Sequence, residues 1–125
     1  GMDAGKIYNT WPLMGDYYFP DDNKFINLFK LSAFSDPSLV QYMHRNLAYL
    51  IFIIYILISY ITFRNKIFYL FKPVIILGLI ILLQIVLGIL TVLSGASILT
   101  ASLHQFSSIL LITSSLYFLY MNRFS

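Results

Sequence analysis

From residue 37 onward apolar positions dominate, gathered into three long runs at 37–62, 73–93 and 103–121. Each run is close to the ~20 apolar residues with which a helix crosses a ~30 Å hydrocarbon core, so three transmembrane helices are predicted. The linkers at 63–72 and 94–102 are short, which makes successive helices antiparallel neighbours. Residues 1–36 mix polar and aromatic positions with Pro12 and Pro20, and are expected to lie outside the hydrocarbon. Within them Asn23, Asn27 and Lys30 recur at helical spacing with Lys24 beside them, while Phe25, Ile26, Leu28, Phe29, Ala33 and Phe34 cover the rest. That pattern predicts a short amphipathic helix lying flat in the headgroup region, with a solvated loop carrying scattered aromatics as the plainer alternative. Trp11, Tyr17, Tyr18 and Phe19 suit the same interfacial depth.

Composition agrees with this outline. The chain is 59% hydrophobic and 10% charged, with a mean hydropathy of +0.81; soluble domains carry about 25% charged residues. The five acidic residues are all Asp and all fall within 1–36. Cysteine is absent, which excludes disulfides and thiolate ligation of a metal. A net charge of +3 from scattered basic residues offers no footprint for nucleic acid. The basic residues bear on orientation instead. Arg64, Lys66 and Lys72 sit in the 63–72 loop and Arg123 in the 122–125 tail, whereas 94–102 has no charge. The positive-inside rule then puts the basic loop and tail on the inner face, and residues 1–36 with loop 94–102 on the outer face. No signal-peptide pattern opens the chain, and it reads as a piece of a longer protein.

His44 and His104 are the only histidines. Both fall early in helices that start on the outer side, at similar depth. Ionisable groups within a membrane are costly and usually functional. A single histidine there would be read as an interfacial group bonded to a headgroup or carbonyl. Two at matched depth suit a pair of axial ligands on one heme held between helices. On the first helix Leu47, Ala48, Ile51 and Tyr55 share the His44 face; on the third, His104 is followed by Ser107, Ser108, Leu111 and Ser115. Small residues there would admit a macrocycle, and would equally permit close helix packing. Gln84, Gly88, Thr91 and Gly95 form a stripe on the second helix that should face the interior, for packing if nothing else. Arg45 runs against the positive-inside bias. It could hold a heme propionate by bidentate bonding or snorkel to a lipid phosphate, and the two uses fit equally.

Several motifs together resemble a known family. Gly1-Met2-Asp3-Ala4-Gly5 and Tyr8-Asn9-Thr10-Trp11-Pro12-Leu13-Met14 are similar to an extramembrane loop of heme A synthase. Gln41-Tyr42-Met43-His44-Arg45 followed by Ala48-Tyr49 resembles the start of that family's sixth helix. Gln84 with Leu87-Gly88-Ile89 and Thr91 resembles its seventh, and Ala101 with Leu103-His104-Gln105 its eighth. The resemblance implies an all-α integral membrane protein, here three transmembrane helices of a four-helix heme-binding bundle preceded by an extramembrane loop with a short interfacial helix. The family's enzymes oxidise a methyl group of heme O to the formyl of heme A for cytochrome c oxidase. Their first half is taken as the substrate site, and their second half holds a heme b whose two histidine ligands correspond to His44 and His104. On this analogy Arg45 is a propionate contact, and Asp3, Asn9, Trp11 and Pro12 shape a loop closing over the heme edge.

The chain departs from the family pattern in lacking the fifth helix and the whole first half, so this portion alone is expected to hold the cofactor without catalysing the reaction, and no catalytic residue is assigned to it. It also lacks a cysteine pair that some members carry. The implied partners are heme O through the missing half, heme O synthase, an electron donor and the lipid bilayer, with a homo-oligomer also expected. The implied location is the bacterial inner membrane or the mitochondrial inner membrane. Two other readings explain the histidines: a small bis-histidine cytochrome b-type anchor, and a structural membrane subunit without heme. The anchor leaves the Asn9-Thr10-Trp11-Pro12 stretch unexplained.

Overall fold

The computed structural model describes residues 3–124 and contains three α-helices, with no β-strand among the described residues. Gly1 and Met2 of the opening motif and Ser125 of the tail lie outside the described residues. The helices are α1 (Pro37–Arg64), α2 (Phe68–Leu93) and α3 (Ile98–Phe124). Helices α1 and α2 are long and apolar enough to cross a membrane. Helix α3 matches them in length, but Ser102, His104, Gln105, Ser107, Ser108, Thr113, Ser114 and Ser115 dilute its apolar character.

Helix α1 begins where local chemistry favours it. Pro37 occupies the first turn, where its missing N–H costs nothing. Asp36 caps the helix end, its side chain accepting from the Leu39 N–H at 3.1 Å. The same carboxylate accepts from Asn23 Nδ2 at 2.9 Å, and the two bonds hold its pKa below the usual carboxylate range. Helix α1 ends at Arg64, and a tight turn with Lys66 at φ 53° passes the chain to α2.

Helix α2 starts at Phe68, five residues before the 73–93 run read from the sequence. Pro73 therefore lies inside the first turns rather than opening the helix. It removes one backbone bond there, and its ring is fully buried. Helix α3 likewise begins at Ile98, ahead of the 103–121 run, because Ser97, Thr100 and their neighbours satisfy the helix start through hydroxyl bonds.

The one amphipathic helix expected near 23–34 is instead two 3-10 turns, Phe25–Phe29 and Leu31–Ser35. They are separated at Lys30, whose backbone is extended (φ −97°, ψ 146°). Asn23 and Asn27 explain the break, since their amides bond within the segment and to Asp36 instead of facing solvent from a regular helix.

Packing is uneven. Helix α3 lies closely along α2, whereas α1 touches α2 over a much shorter stretch. Leu70, Val74, Leu77 and Ile81 of α2 form the buried seam. A second small core of Met14, Pro20, Ala33 and Leu39 ties the N-terminal segment to the start of α1. Where α1 does meet α2, Gly78 makes room: a Cβ there would collide with the Tyr55 ring and hydroxyl. That hydroxyl donates to the Val74 carbonyl at 3.3 Å.

Candidate functional site

The gap left by this uneven packing is a cavity of about 780 Å³ at the end of the bundle where the N-terminal segment docks. Its walls are mostly aliphatic, from Leu47, Ala48 and Ile51 of α1 and Ile81, Ile85 and Ile89 of α2. Polar groups enter at few points, chiefly Gln41, His44 and Arg45 of α1, Gln84 and Thr91 of α2, and His104 of α3. A largely apolar pocket with a few convergent polar side chains is the usual form of a cofactor site. A narrower apolar groove of about 390 Å³ continues from it along the helices, sharing Ile51, Ile81 and Leu111.

His44 and His104 face each other across the gap, with ring centroids 6.2 Å apart and ring planes at 82°. Two imidazoles whose nitrogens each meet one metal at about 2 Å have ring centroids within roughly 6–6.5 Å of one another. The observed spacing suits that arrangement. Among the described residues no third metal-ligating side chain joins them. An imidazole pair alone suits an iron whose remaining ligands come from a macrocycle.

The two rings are held by different means. His104 is wedged against α2, where a Cβ on Gly88 would sit 3.2 Å from its Cε1. One turn earlier on α2, Gln84 Oε1 accepts from Ser107 Oγ at 2.5 Å, and the same hydroxyl also contacts the His104 carbonyl at 3.0 Å. The stripe of Gln84, Gly88 and Thr91 thus faces the cavity, and Gln84 has its partner inside the protein. His104 Nδ1 is buried with no protein partner. A buried polar nitrogen without a well-formed partner is costly, so this ring has hydrogen-bonding or ligating capacity unspent. His44, by contrast, is exposed on the loosely packed α1.

Arg45, next to it, is 8% exposed. Its Nη1 donates to the Leu13 carbonyl at 3.1 Å and its Nη2 to the Tyr8 carbonyl at 3.2 Å. Neither partner carries charge, and among the described residues the only salt bridge is Lys6–Asp3, at 3.2 Å. Nε of Arg45 is buried without a partner. The guanidinium is therefore turned neither to bulk solvent nor to a carboxylate, and three of its five donors stay uncommitted to these two bonds.

Gln41, one turn before Arg45, is a residue whose role sequence reasoning missed. Its Oε1 accepts from the Tyr8 N–H at 3.2 Å and its Nε2 donates to the Tyr8 carbonyl at 2.9 Å. The amide thus pairs with the loop backbone as a neighbouring strand would. Spacing of four residues from Gln41 to Arg45 was the available signal, but only a known docking partner gives that spacing meaning. Tyr8 is fixed at its other end too, its hydroxyl donating to Asp21 at 2.6 Å and Asp22 at 3.2 Å. Partial burial first, and then these carboxylates, push that phenol well above its ordinary pKa. Asp22 in turn accepts from Ser38 Oγ on α1.

Fixed in this way, the loop brings Ala4, Gly5 and Trp11 to the cavity rim. Of the other loop residues singled out in the sequence, Asn9 lies beside Gly95 in the α2–α3 turn. Asp3 and Pro12 are exposed and do not line the cavity. On α3, Leu111 lines the cavity and Ser115 the narrower groove, while Ser107 is used by Gln84.

Comparison with known proteins bears on what this site is for. The sequence profile of the family described as cytochrome oxidase assembly protein matches residues 1–116. The chain is 43% identical over 122 residues to heme A synthase of Pelagibacter ubique, covering 98% of this chain and 36% of that protein. It is 37% identical over 124 residues to heme A synthase of Rickettsia prowazekii, covering 98% of this chain and 37% of the relative. With heme A synthase of Wolbachia pipientis it shares 40% identity over 119 residues, 95% of this chain and 32% of the relative. The chain thus spans about a third of the length of the curated relatives it matches. No solved structure matches it.

Proposed function

Because the chain belongs to the cytochrome oxidase assembly protein family, we propose that it is the cofactor-holding portion of a heme A synthase, with His44 and His104 as the axial ligands of one heme b. The observation that carries this reading is the 6.2 Å spacing of the two imidazoles across a cavity of about 780 Å³. When bound, the heme supplies one-electron transfer, at a potential set by its axial pair and by the apolar walls around it.

The chain's own residues bind and orient. His104 is pre-set by Gly88 and by the Gln84–Ser107 bond, so it offers a nitrogen at a defined place. His44 completes the pair from α1. Arg45 is a buried cation facing only neutral carbonyls, and its uncommitted N–H groups suit a propionate carboxylate. Trp11, with Ala4 and Gly5, lines the cavity mouth.

In the whole enzyme this portion would deliver electrons while a separate half oxidises a methyl group of heme O to the formyl of heme A. The three helices would then be the transmembrane part of a four-helix half-bundle, with residues 1–36 on the outer side of a bacterial or mitochondrial inner membrane. Heme O synthase and an electron donor would be its functional neighbours, and protomers would associate with one another.

The test is a reduced-minus-oxidised visible spectrum of the detergent-solubilised protein supplied with heme b, beside His104→Ala. A low-spin b-type spectrum that disappears in the variant is expected. A full low-spin spectrum in the variant would overturn the ligand assignment.

A further inference from the structure

The two 3-10 turns at Phe25–Phe29 and Leu31–Ser35 take no part in the cavity, yet they are built in an unusual way. The two asparagines turn inward. Asn23 Nδ2 bonds to Asp36 at 2.9 Å, and Asn27 Nδ2 bonds to Asn23 at 3.1 Å, both partly buried. Ala33 packs into the small core beneath. The large apolar side chains turn outward: Leu31 is 89% exposed, Phe29 76%, Phe34 65%, Ile26 62% and Phe25 61%. The segment is not loosely attached, because backbone bonds fix it at Asn27, Lys30, Ala33 and Asp36, and its second turn packs on α1. The fold therefore holds this apolar patch outward in a defined conformation, which water would oppose.

What surrounds the patch identifies its counterpart. Lys24 and Lys30 flank it, both exposed, and neither has a salt-bridge partner among the described residues. The patch ends directly at Asp36 and Pro37, where a helix long and apolar enough to cross a membrane begins. Apolar rings beside lysines, next to the entry of a spanning helix, match the boundary between acyl chains and phosphate headgroups.

We infer that residues 25–34 form a lipid-docking surface, with Phe25, Ile26, Phe29, Leu31 and Phe34 set in the acyl boundary of one leaflet and Lys24 and Lys30 on anionic headgroups. Through Asp36 and Asn23 this surface is joined to the start of α1, so it fixes the depth at which the His44 end of the helix sits.

The chain has no native cysteine, which allows single labels. Phe29→Cys and Leu31→Cys, with Asp16→Cys as the aqueous control, would carry a nitroxide in protein reconstituted into phosphatidylcholine–phosphatidylglycerol nanodiscs. These side chains are mostly exposed, and circular dichroism confirms that each variant is folded. Accessibility to an aqueous nickel chelate should be several-fold lower at positions 29 and 31 than at 16, with accessibility to oxygen raised. Chelate access equal to that at 16 would place the patch in water and overturn the inference. Exclusion of both relaxants would mean that a protein covers the patch, and would overturn it equally. Adding Lys24→Glu and Lys30→Glu should restore chelate access at 29 in these anionic discs; no change would remove the headgroup contact.

Discussion

The two histidines sit 6.2 Å apart, yet they belong to differently built parts of the molecule. The His104 side is a packed seam in which α3 lies along α2, Gly88 leaves space for the ring, and Gln84 and Ser107 bond across the helices. The His44 side is a helix with little lateral support, held mainly at its N-terminal end by polar bonds from Ser38, Gln41 and Arg45 to the N-terminal segment. One histidine is held by helix packing, and the other sits on a helix end clamped by a loop. The cavity is thus bounded on one side by the packed α2 and α3 and on the other by α1 with the N-terminal segment.

This contrast sets the largest expected effect. On the proposed ligation, His104→Ala should abolish heme binding, because it removes the histidine held in the packed α2–α3 seam. His44→Ala should leave a high-spin heme held on His104. Visible and EPR spectra of the two variants check this, and identical losses in both would break the asymmetry.

Gly78→Ala and Gly88→Ala test the two contacts with α2 separately. At Gly78 the new methyl collides with Tyr55, so α1 must move away, at a cost of about 1–3 kcal/mol in thermal unfolding. At Gly88 the methyl meets only the His104 ring, at 3.2 Å. That variant should unfold near the parent temperature while its heme spectrum and potential shift.

Next comes the loop. Gln41→Ala removes both bonds to the Tyr8 backbone, for a loss of about 1–2 kcal/mol. Heme should then dissociate faster, with the spectrum of the bound form unchanged. Nicking the chain between Asp16 and Lys24 with a protease should do the same. If heme retention were indifferent to both, the loop would not close the cavity.

The smallest effect concerns pH. Asp36 has a folded pKa lowered first by its bond from Asn23 and then by the Leu39 N–H. Its contribution to stability is present above the unfolded carboxylate pKa of ~3.9 and is lost as pH falls through the lower folded value. Asp36→Asn should flatten that acid limb in a thermal-melt series while keeping a cap at the helix end.

Much of this architecture was readable before any coordinates. Helices α1 and α2 follow from uninterrupted apolar length, because the bilayer requirement is one of composition and does not depend on which neighbour a residue meets. The two histidines stood out because no others exist in the chain. The interior position of Gln84 followed from the cost of an unpaired amide in lipid, and its partner is Ser107. Other features were not readable. The split of 23–34 into two 3-10 turns depends on Asn23 finding Asp36, thirteen residues away in the chain, and on Asn27 bonding back to Asn23. The early start of α3 depends on hydroxyl bonds that hydropathy does not register.

For Arg45 the sequence left a propionate and a lipid phosphate open, and the structure adds a part in neither: two loop carbonyls from Tyr8 and Leu13. By itself, then, the sequence determined that three long helical segments are present, and it singled out the two histidines. Only the tertiary structure decided that these two face each other, that one is backed by a glycine and the other by a clamped loop, and that an arginine charge is buried beside them. The reason is physical. Hydrophobic length and residue chemistry are local properties of the chain, whereas distances, burial and hydrogen-bond partners arise only when remote segments share the same space.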